Sequence, residues 1–379
     1  MNAVKGRPEP VRPPRGAAEY AQRQAWGLVT HLRRAVTLGP IARYLLICGL
    51  ALLAAAAQAS VGWTQIAGSG GDGPVTVFYP SSSAAAPLKQ GPYTLDVAAH
   101  GQPVRGNGRL IVISHGSGGS PIVHSDLARG LVEAGFVVAL PEHRGDNWHD
   151  MSMFGVPSLK LRPIEVSHAI DAVLHDARFA PLVAGGRVGM FGMSAGGHTA
   201  LVMAGGRWSP SLLLKHCEAD LAHDFQSCVG LSTELRGNLF DGLKKTVALA
   251  VIRHKLDDTA WYSHDDPRVK AVVAEVPFAA DFDMQSLAAP RVPLGLVRAG
   301  QDHWLVPRFH IDAVRAACTT CELVANLPNA GHGSLLSPQP VGLTGLAAEL
   351  LGDPPGFDRR QVPVAHAQIV QFFRQHLLP

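Results

Sequence analysis

Residues Val188 to Phe191 form a short apolar run, and a helix-like stretch begins only a few positions later. The whole connection between them is Gly192-Met193-Ser194-Ala195-Gly196. A strand can pass into a helix this abruptly only where small residues flank the turn, because a side chain there would meet the neighbouring backbone. The pattern is that of a G-x-S-x-G nucleophile elbow. It makes Ser194 the candidate nucleophile, with a hydroxyl lifted above the end of a sheet. The first amides of the following helix face the place where negative charge would develop. The chain has 40 glycines, so a five-residue pattern has weight only through its surroundings.

Those surroundings alternate. Leu110 to Ser114 and Phe136 to Leu140 are near-continuous apolar runs, as expected of strands buried on both faces. Later strands are expected at Ala271 to Val276, Pro293 to Val297 and Cys321 to Ala325. Helical spacing separates them at 126–134, from Pro163 to Ala177, and at the C-terminus from about Val364 to Leu377. Strands alternating with helices predict βαβ units and a mostly parallel central sheet flanked by helices, an α/β architecture. Before it, Val75 to Tyr79 alternates as a strand, Ser81 to Pro87 reads as a linker, and Tyr93 to Val97 is a weak strand. Residues 206–270 are longer than a connecting loop requires and read as a small helical cap insertion, expected to influence specificity.

Acyl transfer by serine needs a base, an acid that orients the base, and amides for the oxyanion. Asp302 follows the strand-like run ending at Val297, and His332 follows the next one, between two glycines. The chain therefore reads nucleophile, acid, base in order: Ser194, Asp302, His332. Asp281 and Asp283 are rival acids after the preceding strand, and Glu275 lies within that strand. Flanking glycines would leave the His332 ring uncrowded and exposed. One oxyanion amide is expected from Ala195 and the other from the Gly-rich loop His115-Gly-Ser-Gly-Gly119, with Ser117 N–H first and Gly116 second. Gly116, Met193 and Trp304 are candidate substrate contacts. The polar stretch Pro141 to Asn147 is expected to brace the neighbouring loops.

Taken together, Ser114-His-Gly-Ser-Gly-Gly119, His143-Arg-Gly-Asp-Asn147, Gly192-Met-Ser-Ala-Gly-Gly197 and Ala330-Gly-His332 resemble the predicted dienelactone hydrolase family. That family belongs to the α/β-hydrolase superfamily and is related to secreted platelet-activating-factor acetylhydrolases. The resemblance runs from about Thr64 to the C-terminus. It implies an α/β-hydrolase fold with an eight-stranded sheet and a Ser194/Asp302/His332 triad working without a cofactor or metal. True dienelactone hydrolases carry a cysteine nucleophile, whereas this chain has Ser194, so the implied reaction is hydrolysis of a small-molecule ester. A peptidase or amidase on the same fold, and a non-catalytic binding protein retaining it, are the alternatives.

The 379 residues are 47% hydrophobic and 17% charged, enough for a large core. Eight Lys/Arg and two Glu place +6 within residues 1–59, so the remainder carries 3 − 6 = −3 of the formal +3. Residues 60–379 thus lack the basic footprint of a nucleic-acid binder. Arg33, Arg34 and Arg43 precede an apolar run from Tyr44 to Ala57, then Ala57-Gln58-Ala59, the pattern of a signal peptide cleaved after Ala59. An uncleaved anchor at 44–57 is the alternative. The prediction is a periplasmic or secreted protein, residues 60–379 forming the domain, without stable membrane association after cleavage. Oligomeric state is not legible. Cys217, Cys228, Cys318 and Cys321 allow three pairings, of which the two local ones are the simplest in an oxidising compartment. The C-x-x-C at 318–321 lacks partners for zinc.

Overall fold

The computed structural model describes residues 60–379, and the expected leader, cleavage site and alternative anchor fall in residues 1–59, outside the described residues. Ten strands make one sheet: β1 (Ser60–Ile66), β2 (Val75–Ser81), β3 (Ala86–Gln90), β4 (Tyr93–Ala99), β5 (Leu110–Ser114), β6 (Val137–Pro141), β7 (Val188–Met193), β8 (Val269–Glu275), β9 (Leu294–Ala299) and β10 (Glu322–Leu327). Their spatial order is β10-β9-β8-β7-β5-β6-β2-β1-β4-β3. Strands β5 to β10 pair in parallel, with β5 seated between β6 and β7. β2 joins β6 antiparallel, and β1 joins β2 antiparallel.

The helices are α1 (Ser125–Glu133), α2 (Val156–His175), α3 (Ala195–Met203), α4 (Pro210–Asp220), α5 (Phe225–Val229), α6 (Asp241–Lys255), α7 (Ile311–Ala317), α8 (Gly345–Leu351) and α9 (Gln361–Leu377). Period-two alternation divides the central strands between two cores. Leu110 and Val112 pack with Val166, Ile170 and Leu201 of α2 and α3. Ile111 and Ile113 pack on the other face with Leu127 and Leu131 of α1 and Phe372 and Phe373 of α9. Each such fully buried side chain contributes roughly 1.5–3 kcal/mol relative to exposure. This two-sided burial is why these strands read as unbroken apolar runs.

Three expectations change. The sheet has ten strands where the resemblance implied eight, because β3 and β4 form a hairpin added beside β1. Ala86 to Gln90 had read partly as linker; an outermost strand pairs on one side only and so tolerates Pro87. Helix α2 starts at Val156, seven residues before the expected start, and holds Pro163 in its interior. Proline marked the helix but not its beginning; the remaining ladder and the burial of Val166, Ala169 and Ile170 outweigh one missing donor.

The insertion contains α4, α5 and α6 around a small core of Leu213, Cys217, Leu221, Phe225, Ile252 and Leu256, against which Phe278 also packs. The cysteines pair locally, Cys217 with Cys228 and Cys318 with Cys321. The first pair spans 11 positions and joins α4 to α5. Loop-closure entropy assigns such a bridge about 3 kcal/mol. Replacing both Cys217 and Cys228 with serine should lower unfolding stability by about that amount in denaturant titration. An unchanged midpoint would show that the bridge does not constrain the unfolded chain.

Candidate active site

Ser194 joins β7 to α3 with φ of 59° and ψ of −116°, a left-handed region that non-glycine residues rarely occupy. Two glycines make the turn sterically possible. A Cβ on Gly192 would lie 1.9 Å from the Gly196 carbonyl oxygen, and one on Gly196 would lie 2.0 Å from the Ser114 carbonyl oxygen. The turn is bonded on both sides: Ser194 N–H donates to Glu275 O at 3.0 Å, and Ser194 O accepts from His198 N–H at 2.9 Å and Phe278 N–H at 3.2 Å.

The expected partners meet at this hydroxyl. Ser194 Oγ is 2.9 Å from His332 Nε2, and His332 Nδ1 is 2.8 Å from Asp302 Oδ2. With the ring proton on Nδ1, His332 donates to the carboxylate and accepts from the serine. Asp302 Oδ1 accepts from Trp304 N–H at 2.9 Å and Leu305 N–H at 2.8 Å, so both oxygens are engaged and the carboxylate cannot rotate freely. One expectation fails: His332 is only 5% exposed. The glycines beside it serve close packing, since a Cβ on Gly333 would lie 2.6 Å from Leu351 Cα and one on Gly331 2.9 Å from Pro354 Cγ.

The rival acids lie elsewhere. Asp281 bonds His198 at 3.2 Å. Asp283 accepts from Gln285 N–H and pairs with Arg207 at 2.8 Å. Glu275 is buried, its side chain makes no hydrogen bond among the described residues, and burial pushes its carboxyl up to about 8.

On the side expected to supply oxyanion amides, a Cβ on Gly116 would lie 3.3 Å from Ser194 Cβ, so the His115–Gly119 loop touches the candidate nucleophile. Among the described residues, neither Ser117 N–H nor Ala195 N–H donates to a protein acceptor. A fully buried ion pair fixes this loop. Arg162 Nη2 is 2.9 Å from Asp146 Oδ2, and Arg162 Nη1 donates to His115 O at 2.6 Å. Asp146 accepts from Ser117 Oγ and Gly118 N–H, each at 3.0 Å, and from Ser158 Oγ at 2.6 Å. Burial alone would raise the Asp146 carboxyl; Arg162 and the hydrogen bonds from Ser158 and Gly118 prevail and hold it at about 2. His143 stands behind, between Ser114 Oγ at 2.7 Å and Glu165 Oε2 at 2.6 Å. Burial, then the nearby Arg162, keeps His143 well below the ordinary imidazole range, so it adds no second cation beside the guanidinium.

Arg162, Ser158 and Glu165 had no signal in the sequence, because an arginine in a helical stretch ordinarily faces water. Asp224 was missed likewise. It sits between α4 and α5 and accepts from His216 Nε2 at 2.8 Å, His310 Nε2 at 2.9 Å and Val306 N–H at 3.3 Å, tying the insertion to the segment after Asp302.

A cavity of about 640 Å³ has Gly116, Ser117 and Met193 in its wall. Ser194 and His332 do not line it themselves, and Gly116, on which a Cβ would lie 3.3 Å from Ser194 Cβ, is its link to the serine. Trp304 is not in that wall; its amide holds Asp302 instead.

No family model and no curated protein matches the chain. Its structure is similar to that of the ferulic acid esterase from Streptomyces cinnamoneus, with a TM-score of 0.54 over 85% of this chain and 91% of that one, at 17% sequence identity. Together with the strand order, this gives the chain an α/β-hydrolase-like fold.

Glu275 supplies a test of the site's electrostatics. Its folded value near 8 lies above the ordinary 4.5, so between those values the folded chain holds a proton that the unfolded chain has released. Stability is therefore lost as pH rises through this window, by at most about 1.4 kcal/mol per pH unit. Glu275→Gln should remove the slope. Its melting-temperature advantage over the unaltered protein should grow from pH 5 to pH 8 and then level. Parallel curves for the two proteins would show that Glu275 does not titrate in this range.

Proposed function

We propose that this protein is a serine hydrolase of carboxylic esters, with Ser194 as nucleophile, His332 as general base and acid, and Asp302 orienting the ring. The observation that carries the reading is the unbroken hydrogen-bond chain from Ser194 Oγ through His332 to Asp302. In the proposed reaction His332 Nε2 takes the Ser194 proton as Oγ attacks the ester carbonyl. The free amides of Ala195 and Ser117 receive the oxyanion, each worth about 10²–10³ in kcat. His332 then gives the proton to the departing alcohol, leaving Ser194 acylated. Water, deprotonated by the same nitrogen, releases the acid and restores the serine.

Several observations support the choice of ester and of compartment. The structural neighbour is described as a ferulic acid esterase, which favours ester over amide cleavage. The motifs Ser114 to Gly119 and His143 to Asn147 keep their likeness to the predicted dienelactone hydrolases, and their side chains meet at the loop beside the nucleophile. The two cysteine pairs suit an oxidising compartment, in line with an exported chain whose residues 1–59 are its leader. Among the described residues, no helix is long and apolar enough to cross a membrane.

Ser194→Ala should lower kcat on a p-nitrophenyl acyl ester by at least about 10⁴-fold, and Asp302→Asn should cause a loss of similar order. Both are read by initial rates beside a matched anilide, which should turn over far more slowly. Full activity in the Ser194 variant would end this reading, and faster anilide cleavage would make the enzyme an amidase.

A further inference from the structure

The cavity that reaches the Ser194 turn through Gly116 and Met193 takes none of its lining from the helical insertion. Its near end is Gly116, Ser117 and Met193, at the ends of β5 and β7. Its far end is Gln65 on β1 and the β3–β4 turn at Gln90. From β7 to β1 the sheet steps through β5, β6 and β2. Four strand spacings make a span of about 19 Å. Trp63, Phe78 and Tyr93 line it from β1, β2 and β4, Trp148 from the loop after β6, and Leu336, Leu343 and Leu351 from the chain between β10 and α9. Tyr93 Oη accepts from Val341 N–H at 3.3 Å, so the hairpin and the segment between β10 and α9 are joined. Among the described residues, none of 206–270 lines it.

The wall mixes apolar side chains with polar ones, Gln90 and Ser120 among them, and among the described residues it includes no lysine or arginine. Gln65 and Thr76 bond each other at 3.3 Å. Glu142 is engaged with His149 at 3.0 Å. His124 is buried, its Nε2 makes no hydrogen bond, and burial lowers it to about 3, so it is neutral at ordinary pH. An anionic group entering here would shed its water without gaining a cation. An apolar one would find four aromatic rings, those of Trp63, Phe78, Tyr93 and Trp148, and three leucines. The volume lies within the ~300–1,000 Å³ of pockets that enclose a drug-sized ligand.

We propose that the β3–β4 hairpin closes a binding cavity for the uncharged, apolar arm of an elongated ester, and that this hairpin, not the helical insertion, sets substrate choice. The inference rests on the ester-hydrolase reading and adds the substrate class to it. It also replaces the expectation that residues 206–270 govern specificity. The arm is either the acyl or the alcohol part, since both leave the same carbonyl carbon.

Two substrate series distinguish them: p-nitrophenyl esters from acetyl to decanoyl, and acetate esters of alcohols from methyl to decyl. In one series kcat/KM should rise at least about tenfold toward the longer members. On the corresponding side of the ester, a six-carbon arm should outpace the same arm ending in a carboxylate by at least about tenfold. Gln65→Trp and Gln90→Trp fill the far end from two different strands. Each should lower the long-to-short ratio of kcat/KM by at least about tenfold. Leu243→Ser, on the 63%-exposed face of α6, should leave that ratio within about twofold. Flat series on both sides, equal rates for charged and neutral arms, or a ratio shifted by the α6 variant and not by the cavity variants would overturn the proposal while ester turnover itself persisted. The charged-against-neutral comparison uses the unaltered protein and holds even if a tryptophan variant does not fold. An unaltered protein that hydrolyses no ester would overturn the ester reading and this inference together.

Discussion

The site depends on backbone segments that approach more closely than any side chain would permit. Gly192 lies against Gly196, Gly196 against the end of β5, and Gly197 against Pro277 beyond β8. These contacts hold Ser194 at its positive φ, a conformation a serine would leave if the surroundings relaxed. They also explain the central strand order β8-β7-β5, because both neighbours of β7 supply atoms to the turn. Once the elbow is fixed there, the remaining groups need only follow adjoining strands. The proposed oxyanion loop follows β5, Asp302 follows β9 and His332 follows β10. Residues distant in sequence thereby gather at one rim of the sheet, as in other open α/β sheets.

A second layer aims those groups. Arg162 and Asp146 are fully buried, and such a pair adds little net stability once its desolvation is counted. Its effect here is geometric. One guanidinium holds the carbonyl of His115, and one carboxylate holds the hydroxyl of Ser117 and the amide of Gly118. The proposed oxyanion amide therefore lies between two fixed points. Asp224 does comparable work for the opposite side, fastening the segment that follows Asp302 to the insertion.

Much of this was legible in the sequence. The apolar runs at β5, β6 and β7 were plain because burial on both faces leaves no room for polar alternation, whereas β10, at the sheet edge, is largely exposed. The elbow and the order Ser194, Asp302, His332 were visible because each follows a strand end. What was not legible has physical reasons. The hairpin strand β3 has no buried residue, so its composition looks like linker. Arg162 is indistinguishable by sequence from a solvated helical arginine until Asp146 is brought to it. The glycines around His332 suggested exposure, yet they permit contact with Leu351 and Pro354, and sequence cannot separate those two uses of glycine. The cavity that Gly116, Ser117 and Met193 help to line draws on β1, β2 and the β3–β4 hairpin, and no run in the sequence marks those distant segments as neighbours.

The central claim is that the hydroxyl at 194 is made reactive by its neighbours. It is tested most directly by treating the folded protein with a fluorophosphonate and locating the adduct by peptide mass spectrometry. The account predicts stoichiometric modification at Ser194, abolished by prior unfolding and strongly slowed in His332→Gln. An unmodified Ser194, or labelling that proceeds equally well without the imidazole, would contradict it.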